Sequence, residues 1–216
     1  MVTVRRLKDA RERLIASAIE LIYARSYGAV SVDDLCARAG VHKGSFYHFF
    51  PSKRELLLAA IDVQWEQAKQ TVLEPAFAPD VPPRERIARF FTLFTDPRCA
   101  DPAGTGCVLG CPFGNLVAEM AAQDPVIRAK VQDVFAGICA YVEGALREAV
   151  AEGTIAGVDP AVGARALLAF YEGIMLVAKA ANDAALIEQL GRIGLQFLPQ
   201  VGSFGEPTRM PSPSSC

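Results

Sequence analysis

Polar side chains that can donate hydrogen bonds to anionic oxygens are concentrated in one short stretch of this 216-residue chain. They are Lys43, Ser45, Tyr47 and His48, with Lys53 shortly after them. Ammonium, hydroxyl and imidazole groups bond the phosphate oxygens and base edges of nucleic acids. The stretch therefore predicts a surface that contacts DNA.

Two short helices joined by a tight turn are predicted to position these side chains. Ser31 stands before an apolar-periodic run and Asp34 follows three residues later, which is close to the capping signature of a helix start. Gly40 lies where the chain must turn, because glycine adopts positive φ without a Cβ penalty. The second helix is predicted to begin near Lys43 and to end at Pro51.

The spacing favours a helix-turn-helix motif over a plain helical hairpin. The apolar side chains that can meet in one small core are Leu35, Val41, Phe46 and Phe49. The small Cys36 lets the two helices cross closely at a steep angle. The polar side chains of the second helix then face outward, as a recognition helix in the major groove requires.

Helices are also predicted on both sides of this motif. An amphipathic helix over 8–26, ending near Gly28, is expected to pack over it. Residues 1–7 are interpreted as a frayed terminus in preference to a basic arm that reaches a groove. Ser52 and Glu55 predict a capping box after Pro51, and the free N–H groups there, with Lys53, are predicted to bind a phosphate.

The run from Val41 to Leu57 resembles the signature of TetR-type transcriptional regulators, which is close to V-x-K-G-x-[LF]-Y-x-[HY]-F-x-[SN]-K-x-x-L. The resemblance spans roughly Arg11 to Ala60. It is specific, because a bare helix-turn-helix would not also require the Gly-x-x-Tyr and the Ser-Lys pair. It implies an operator-binding regulator whose remaining residues form an effector-binding body.

The DNA-binding set predicted from the motif and this resemblance is Ser31, Lys43, Gly44, Ser45, Tyr47, His48 and Lys53. The resemblance implies that Ser45, Tyr47 and Lys53 mostly touch phosphates, while Lys43, Gly44 and His48 lie nearer the bases. His42 departs from the Ser or Thr that is commonest at its position.

The charge of the chain is divided unevenly between its two parts. Residues 1–60 contain 10 Lys and Arg against 6 Asp and Glu, a net charge of +4. Residues 61–216 contain 12 against 18, a net charge of −6, and the two sum to the −2 of the whole chain. A basic first quarter on an acidic remainder is typical of a DNA reader with a separate effector domain.

Periodicity along the chain predicts an all-α fold with two domains. An N-terminal three-helix helix-turn-helix DNA-binding domain is expected at 1–52, and a helical-bundle effector-binding and dimerisation domain at 53–201. The helices expected in the second domain are 53–73, 84–95, 112–123, 125–152, 160–181 and 184–197. The Ser- and Pro-rich residues 202–216 are interpreted as a disordered tail.

The location of the protein is predicted from its apolar segments. The start of the chain has no apolar run of the secretory type. The apolar stretch 161–181 is interrupted by Arg165, Glu172 and Lys179, which lie seven residues apart and predict a narrow polar stripe on a bundle helix. We therefore expect a cytoplasmic protein without a membrane partner, and its six cysteines should be mostly reduced.

Enzyme chemistry is not predicted. Both histidines, His42 and His48, lie in the DNA-reading segment, which removes the commonest general base and metal ligand from the body. Gly-rich phosphate loops, Zn-type Cys-x-x-Cys motifs and nucleophile elbows are missing from the sequence. We expect no catalytic residues, no cofactor and no metal.

The candidate effector or redox residues are Cys107, Cys111, Phe113 and Trp65, with Cys99 a further thiol. Cys111 precedes Pro112 at a predicted helix start, where the helix dipole and free N–H groups favour the reactive thiolate. The run 110–116 also resembles a segment of some TetR regulators, a few of which respond to thiol-reactive compounds. The alternative, a small buried apolar cysteine, is preferred. Trp65 could face either a pocket or an exposed groove.

Two functional hypotheses follow. The first is a dimeric repressor that binds a palindromic operator and is released when a small molecule occupies the body, with the last two apolar helices near 161–195 as the dimer interface. The second is a redox or electrophile sensor in which Cys111 is the receptor. A non-specific DNA-packaging protein is disfavoured by the acidic body.

Overall fold

A computed structural model describes residues 9–94 and 106–194 of the chain. The predicted arm at 1–7, Cys99, the end of the last predicted helix and the tail at 202–216 lie outside these residues. The described helices are α1 (Ala10–Arg25), α2 (Val32–Ala39), α3 (Lys43–Phe49), α4 (Lys53–Ala68), α5 (Pro83–Phe94), α6 (Pro112–Met120), α7 (Pro125–Ala151), α8 (Pro160–Ala181) and α9 (Ala185–Gly194). The all-α prediction is confirmed.

Local signals set the ends of the first three helices. Ser31 and Asp34 form a complete capping box at the start of α2, and Gly40 ends it with φ 63°, in the left-handed region. Both predictions are confirmed. The end of α1 was predicted near Gly28, but the helix stops at Arg25 because Ser26 leaves helical geometry with φ 92°.

The first four helices share a compact apolar core, which we call the head core. Leu14, Leu35, Phe46 and Leu56 are fully buried in it. Val41 and Phe49 pack at its margin, and Phe50 is buried although the sequence did not single it out. The predicted meeting of α2 and α3 side chains is therefore confirmed.

A second and larger core, the body core, fills the space between α4 to α9. The long helices α7 and α8 supply half of its buried side chains. Helix α4 belongs to both cores, because Leu56 and Ala60 pack in the head core while Leu57 and Ile61 pack in the body core. Residues one position apart on a helix point to different sides, so one helix can serve two neighbours.

Helix α4 is longer than the sequence predicted. A π-helical turn over Lys69–Leu73 and a final turn over Glu74–Ala76 continue it past Pro75. In a regular α-helix the ring of Pro75 would clash with the carbonyl of Thr71. The wider π-turn accommodates the ring, so the proline does not break the helix where we expected.

Within the described residues, one helix, α8, is long and apolar enough to cross a membrane by length and composition. This is weak evidence, because core helices of soluble proteins meet the same criterion. Arg165 and Lys179 are exposed, as the predicted polar stripe requires, but Glu172 is half-buried. The stripe is therefore interrupted at its centre, where α6 covers the side chain.

Candidate nucleic-acid interface and effector cavities

Helix α3 presents the predicted polar side chains on the surface of the head. Phe46 is fully buried and anchors the helix, whereas Lys43, Tyr47 and His48 are exposed, with Tyr47 52% accessible. The Tyr47 ring stands edge-on to Phe46, with the ring centres 5.1 Å apart. One short helix thus carries a cation, a phenol and an imidazole on its solvent side.

Lys43 is paired with a carboxylate from the preceding helix. Its Nζ lies 2.8 Å from Oδ1 of Asp33, and this hydrogen-bonded contact raises the pKa of Lys43. Both side chains are exposed, so the pair contributes little stability. The ammonium can exchange this partner for another anion at small cost.

The Ser31 side chain caps the start of α2 through hydrogen bonds with Asp34. Its hydroxyl accepts a hydrogen bond from the Asp34 amide at 3.1 Å and donates to the Asp34 carboxylate at 2.5 Å. The carboxylate also accepts from the Ser31 amide at 2.8 Å, and the bonds from the Ser31 hydroxyl and amide lower the pKa of Asp34. The sequence assigned Ser31 to the DNA-binding set, and the structure gives it a capping role as well.

Lys53 faces into the protein more than the sequence predicted. Its Nζ donates to the carbonyl oxygens of Tyr27 at 2.9 Å and Val30 at 2.8 Å, and it lies 4.0 Å from the centre of the Tyr27 ring. Burial lowers the pKa of the Lys53 ammonium. Two of its three donors hold the loop between α1 and α2, which leaves one for the phosphate contact that we predicted.

Glu119 on α6 binds the same loop from the body side. Its carboxylate accepts hydrogen bonds from the amides of Tyr27 at 2.9 Å and Gly28 at 2.6 Å. The Tyr23 hydroxyl of α1 donates to the Gly110 carbonyl, just before α6, at 2.5 Å. Helix α6 is therefore tied directly to the head, a role for which the sequence held no local signal.

A cavity of about 520 Å³ lies at this junction of α1, α4 and α6. Its walls include Ile22, Leu57 and Phe113, with the polar side chains of Glu119 and Lys179 at its edge. The volume is within the usual range for small-molecule sites. Phe113 was in the predicted effector set, and it does line a cavity.

A second cavity of about 320 Å³ lies between α6 and α8, with Phe135 of α7 in its wall; we call it the α6–α8 cavity. Cys111 and Gly114 line it from α6, and Glu172 and Met175 line it from α8. It opens at the surface beside the exposed Leu176, and none of its lining residues belongs to the DNA-facing helix α3.

The thiol of Cys111 has the buried environment that the sequence analysis preferred, and not that of a reactive thiolate. Its side chain is buried, and its Sγ accepts a weak hydrogen bond from the Gly114 amide at 3.5 Å. Burial raises the pKa of the Cys111 thiol, and the adjacent Glu172 carboxylate raises it further. The reactive thiolate, the less favoured of the two predictions, is therefore disfavoured in this conformation, because α8 covers the helix start and brings a carboxylate to it.

The other members of the predicted effector set lie apart from each other. Cys107 is exposed in the segment before α6. Trp65 packs on Gly137 of α7, where an added Cβ would lie 2.6 Å from the indole ring. Trp65 lines neither of the two cavities, and the set is not one site. Residues 9–94 and 106–194 contain no group of three or more His, Cys, Asp or Glu side chains that could hold a metal.

Comparison with known proteins covers nearly the whole described chain. Residues 14–60 match the family of bacterial regulatory proteins of the tetR type, and residues 83–193 match the tetracyclin repressor-like C-terminal domain. The transcriptional regulator AcuR of Cereibacter sphaeroides is 33% identical over 79% of this chain and 76% of its own. The HTH-type transcriptional repressor NemR of Escherichia coli is 26% identical over 83% of this chain and 89% of its own.

Solved structures agree in architecture. The regulatory protein TetR from Rhodobacter sphaeroides superposes with a TM-score of 0.76 at 28% identity, covering 88% of this chain and 98% of that one. The reduced form of E. coli NemR superposes with a TM-score of 0.74 at 22% identity, covering 90% and 100%. At 22% identity, the similarity to the NemR structure supports the fold alone.

Proposed function

Because the chain belongs to the TetR family of DNA-binding transcriptional regulators, we propose that it is a cytoplasmic, homodimeric repressor released from a palindromic operator by a small molecule. Residues 1–52 would form the DNA-binding domain, and residues 53–201 the effector-binding and dimerisation domain. The family consists of regulators, so the protein is not an enzyme.

The observation that carries the proposal is the solvent face of α3. Lys43, Tyr47 and His48 project from a helix whose other side is anchored by the buried Phe46. A rigid helix with exposed donors can read base edges while neighbouring groups contact phosphates. Of the other predicted residues, Ser31, Gly44 and Ser45 would complete the interface around it, whereas Lys53 would mainly hold the loop between α1 and α2.

Dimerisation is supported by apolar side chains that the chain leaves uncovered. Val162, Leu176 and Val177 on α8 are 60%, 67% and 50% exposed, and Ile193 on α9 is 42% exposed. A two-fold pair would bury them and place two recognition helices one DNA turn apart, at roughly 34 to 36 Å. Two half-sites multiply the specificity of one short helix.

Release is proposed to act through the spacing of the two heads. A ligand that prefers one arrangement of the body shifts the equilibrium toward it. Helix α6 lines both cavities and carries Glu119, which binds the head, so a movement of α6 would be transmitted to the α1–α2 loop.

The experiment selects binding sites from a pool of random duplexes and measures the affinity for the winning site. We expect a two-fold symmetric sequence.

The variant His48→Ala should change the base preference, whereas Tyr47→Phe should weaken binding to all duplexes about equally. A protein that binds every duplex alike with a steep salt dependence would contradict the proposal. Dissociation into monomers on release, seen by light scattering, would contradict the spacing mechanism.

The Cys111 sensor remains a second proposal, favoured by one observation: the thiol lines a cavity that a small electrophile can occupy. Its raised pKa argues against reaction in the resting conformation. Cys111→Ser should keep operator binding and lose any response to a thiol-modifying reagent. An unchanged response would remove this proposal.

A further inference from the structure

The α6–α8 cavity contains a carboxylate with an unmet hydrogen-bonding capacity. Glu172, in the middle of α8, is half-buried, and its carboxylate has a hydrogen bond with the Cys111 thiol, but its shielded Oε1 has no hydrogen-bond partner in the part of the chain that the structure describes. Burying a carboxylate without a partner is costly, so the group either binds a proton or needs a donor from elsewhere. Burial raises the pKa of Glu172, which expresses the same cost.

The facing helix leaves room for this carboxylate at one position. A Cβ added at Gly114 would overlap Oε2 of Glu172, so every other residue type there would push the carboxylate away. Glycine in the first turn of α6 costs helix stability relative to alanine. The fold therefore keeps a space for a charged group that nothing in the described protein fully satisfies.

Apart from Asn115 and the Cys111 thiol, the remaining walls of the cavity are apolar, and none of its lining residues is a cation. Phe135, Met175 and Leu176 form the apolar side. The nearby Lys179 ammonium is directed to the Asn115 side-chain oxygen at 2.8 Å. Mostly apolar walls with a few convergent polar groups are the usual form of a small-molecule site.

We propose that the α6–α8 cavity binds a compact amine, whose ammonium donates to Oε1 of Glu172 while its alkyl or aryl part packs against Phe135, Met175 and Leu176. The volume of about 320 Å³ is at the small end of ligand cavities, which run from about 300 to 1,000 Å³. An anionic ligand is disfavoured by the carboxylate, and an alcohol gains a hydrogen bond without the charge pairing.

This site deepens the proposed function, on which its regulatory consequence rests. Cys111 and Gly114, at the start of α6, line the cavity, and Glu119, near the end of the same helix, binds the Tyr27 and Gly28 amides of the head. A ligand between α6 and α8 thus acts on the helix that holds the head.

Binding can be measured on the full chain without DNA. Hexylamine and benzylamine are compared with hexanoate, benzoate, hexanol and benzyl alcohol by calorimetry and thermal shift. We expect the amines to bind at least about tenfold more tightly than their matched acids and alcohols, a difference of roughly 1.4 kcal/mol, and to raise the Tm.

Glu172→Gln keeps the shape of the side chain and removes its charge, and it should abolish the preference for amines. Glu152→Gln, an exposed residue at the end of α7, is the matched control and should retain it. Equal binding of amines, acids and alcohols by the unmodified protein would overturn the proposal, as would an undiminished amine preference in Glu172→Gln.

A band-shift assay separates this result from the proposed function. Operator binding by Glu172→Gln without amine should equal that of the unmodified protein, and benzylamine should release only the latter. If neither protein prefers any duplex, the repressor proposal fails while the calorimetric result stands by itself. If both bind the operator and amines show no preference for Glu172, the amine site alone is rejected.

Discussion

At position 44 in α3, neither the backbone conformation nor the packing of the described chain requires glycine. A Cβ added there would meet no atom within 4 Å, and its φ is not in the left-handed region. Glycine nevertheless weakens a helix relative to alanine. The reason for it lies outside the chain, and the close approach of a DNA backbone to α3 would provide one.

Replacing Gly44→Ala should therefore separate folding from binding. The helix should become more stable by about 0.5 to 1 kcal/mol, while operator affinity falls because the methyl group occupies the space that DNA needs. Thermal melting and band-shift titration measure the two effects. Gly144→Ala, in an equally open position on α7, should stabilise without changing affinity. Undiminished operator binding by Gly44→Ala would show that nothing approaches this backbone.

Lys53 should behave as a structural residue when it is replaced. Lys53→Met keeps the length of the side chain but leaves the carbonyl oxygens of Tyr27 and Val30 without their donor, at a cost of about 1 to 3 kcal/mol. We expect a lower free energy of unfolding and a salt dependence of DNA binding that is nearly unchanged. Arg54→Met, which removes an exposed cation beside it, should cost little stability.

The opposite pattern would support the contact predicted from sequence. A Lys53→Met protein of normal stability, with weaker binding to all duplexes and a salt slope reduced by about 1, would mean that the ammonium turns to a phosphate in the complex.

At the scale of the elements, α6 connects the body to the head through one carboxylate. Glu119→Gln should weaken this connection, because an amide can accept through its oxygen alone and must turn its NH₂ toward one of the two backbone donors, Tyr27 or Gly28. We expect faster hydrogen exchange at these two amides and a reduced effect of any effector on operator affinity. Exchange mass spectrometry and band-shift titration are the measurements.

Glu152→Gln provides the control for this variant, since the residue is exposed at the end of α7. It should leave exchange in the α1–α2 loop unchanged. If Glu119→Gln also leaves that exchange unchanged, the carboxylate does not hold the loop in solution.

Most element boundaries could be predicted because their causes are local. Ser31, Asp34 and Gly40 define α2 within ten residues of sequence, and Pro51 follows Phe50, the residue that caps the end of α3. Pro75 was expected to end the helix, but a π-helical turn accommodates its ring. The polar side chains of α3 could likewise be identified from a compact motif.

Side-chain environments that depend on distant residues could not be predicted. Glu119 reaches a loop 92 residues earlier in the chain, and Cys111 is covered by a helix that begins at Pro160. A helix start usually lowers a thiol pKa, but here burial and Glu172 outweigh that effect. No signal in the sequence placed Glu172 opposite Gly114.

At the scale of the whole molecule, the uncovered apolar face of α8 should decide the oligomeric state. Val177→Glu places a charge in the proposed interface and should convert the dimer to a monomer with much weaker operator binding, as measured by light scattering and band shift. Val126→Glu is the control, because Val126 is similarly exposed, at 44%, in the first turn of α7. A dimer that survives Val177→Glu would place the interface elsewhere.

The double membership of α4 limits how this regulator can be recombined with its relatives. A head excised at Pro51 would lack Leu56 and Ala60 and expose the apolar side chains that they cover. A chimera that exchanges operator specificity should therefore be joined beyond Ile61, and the incoming α4 must still present side chains like Leu57 and Ile61 to its new body. A new operator specificity that arose by domain shuffling would have to preserve the same packing of α4 in both cores. Gradual substitution within α3 is therefore favoured over exchange of the whole DNA-binding domain.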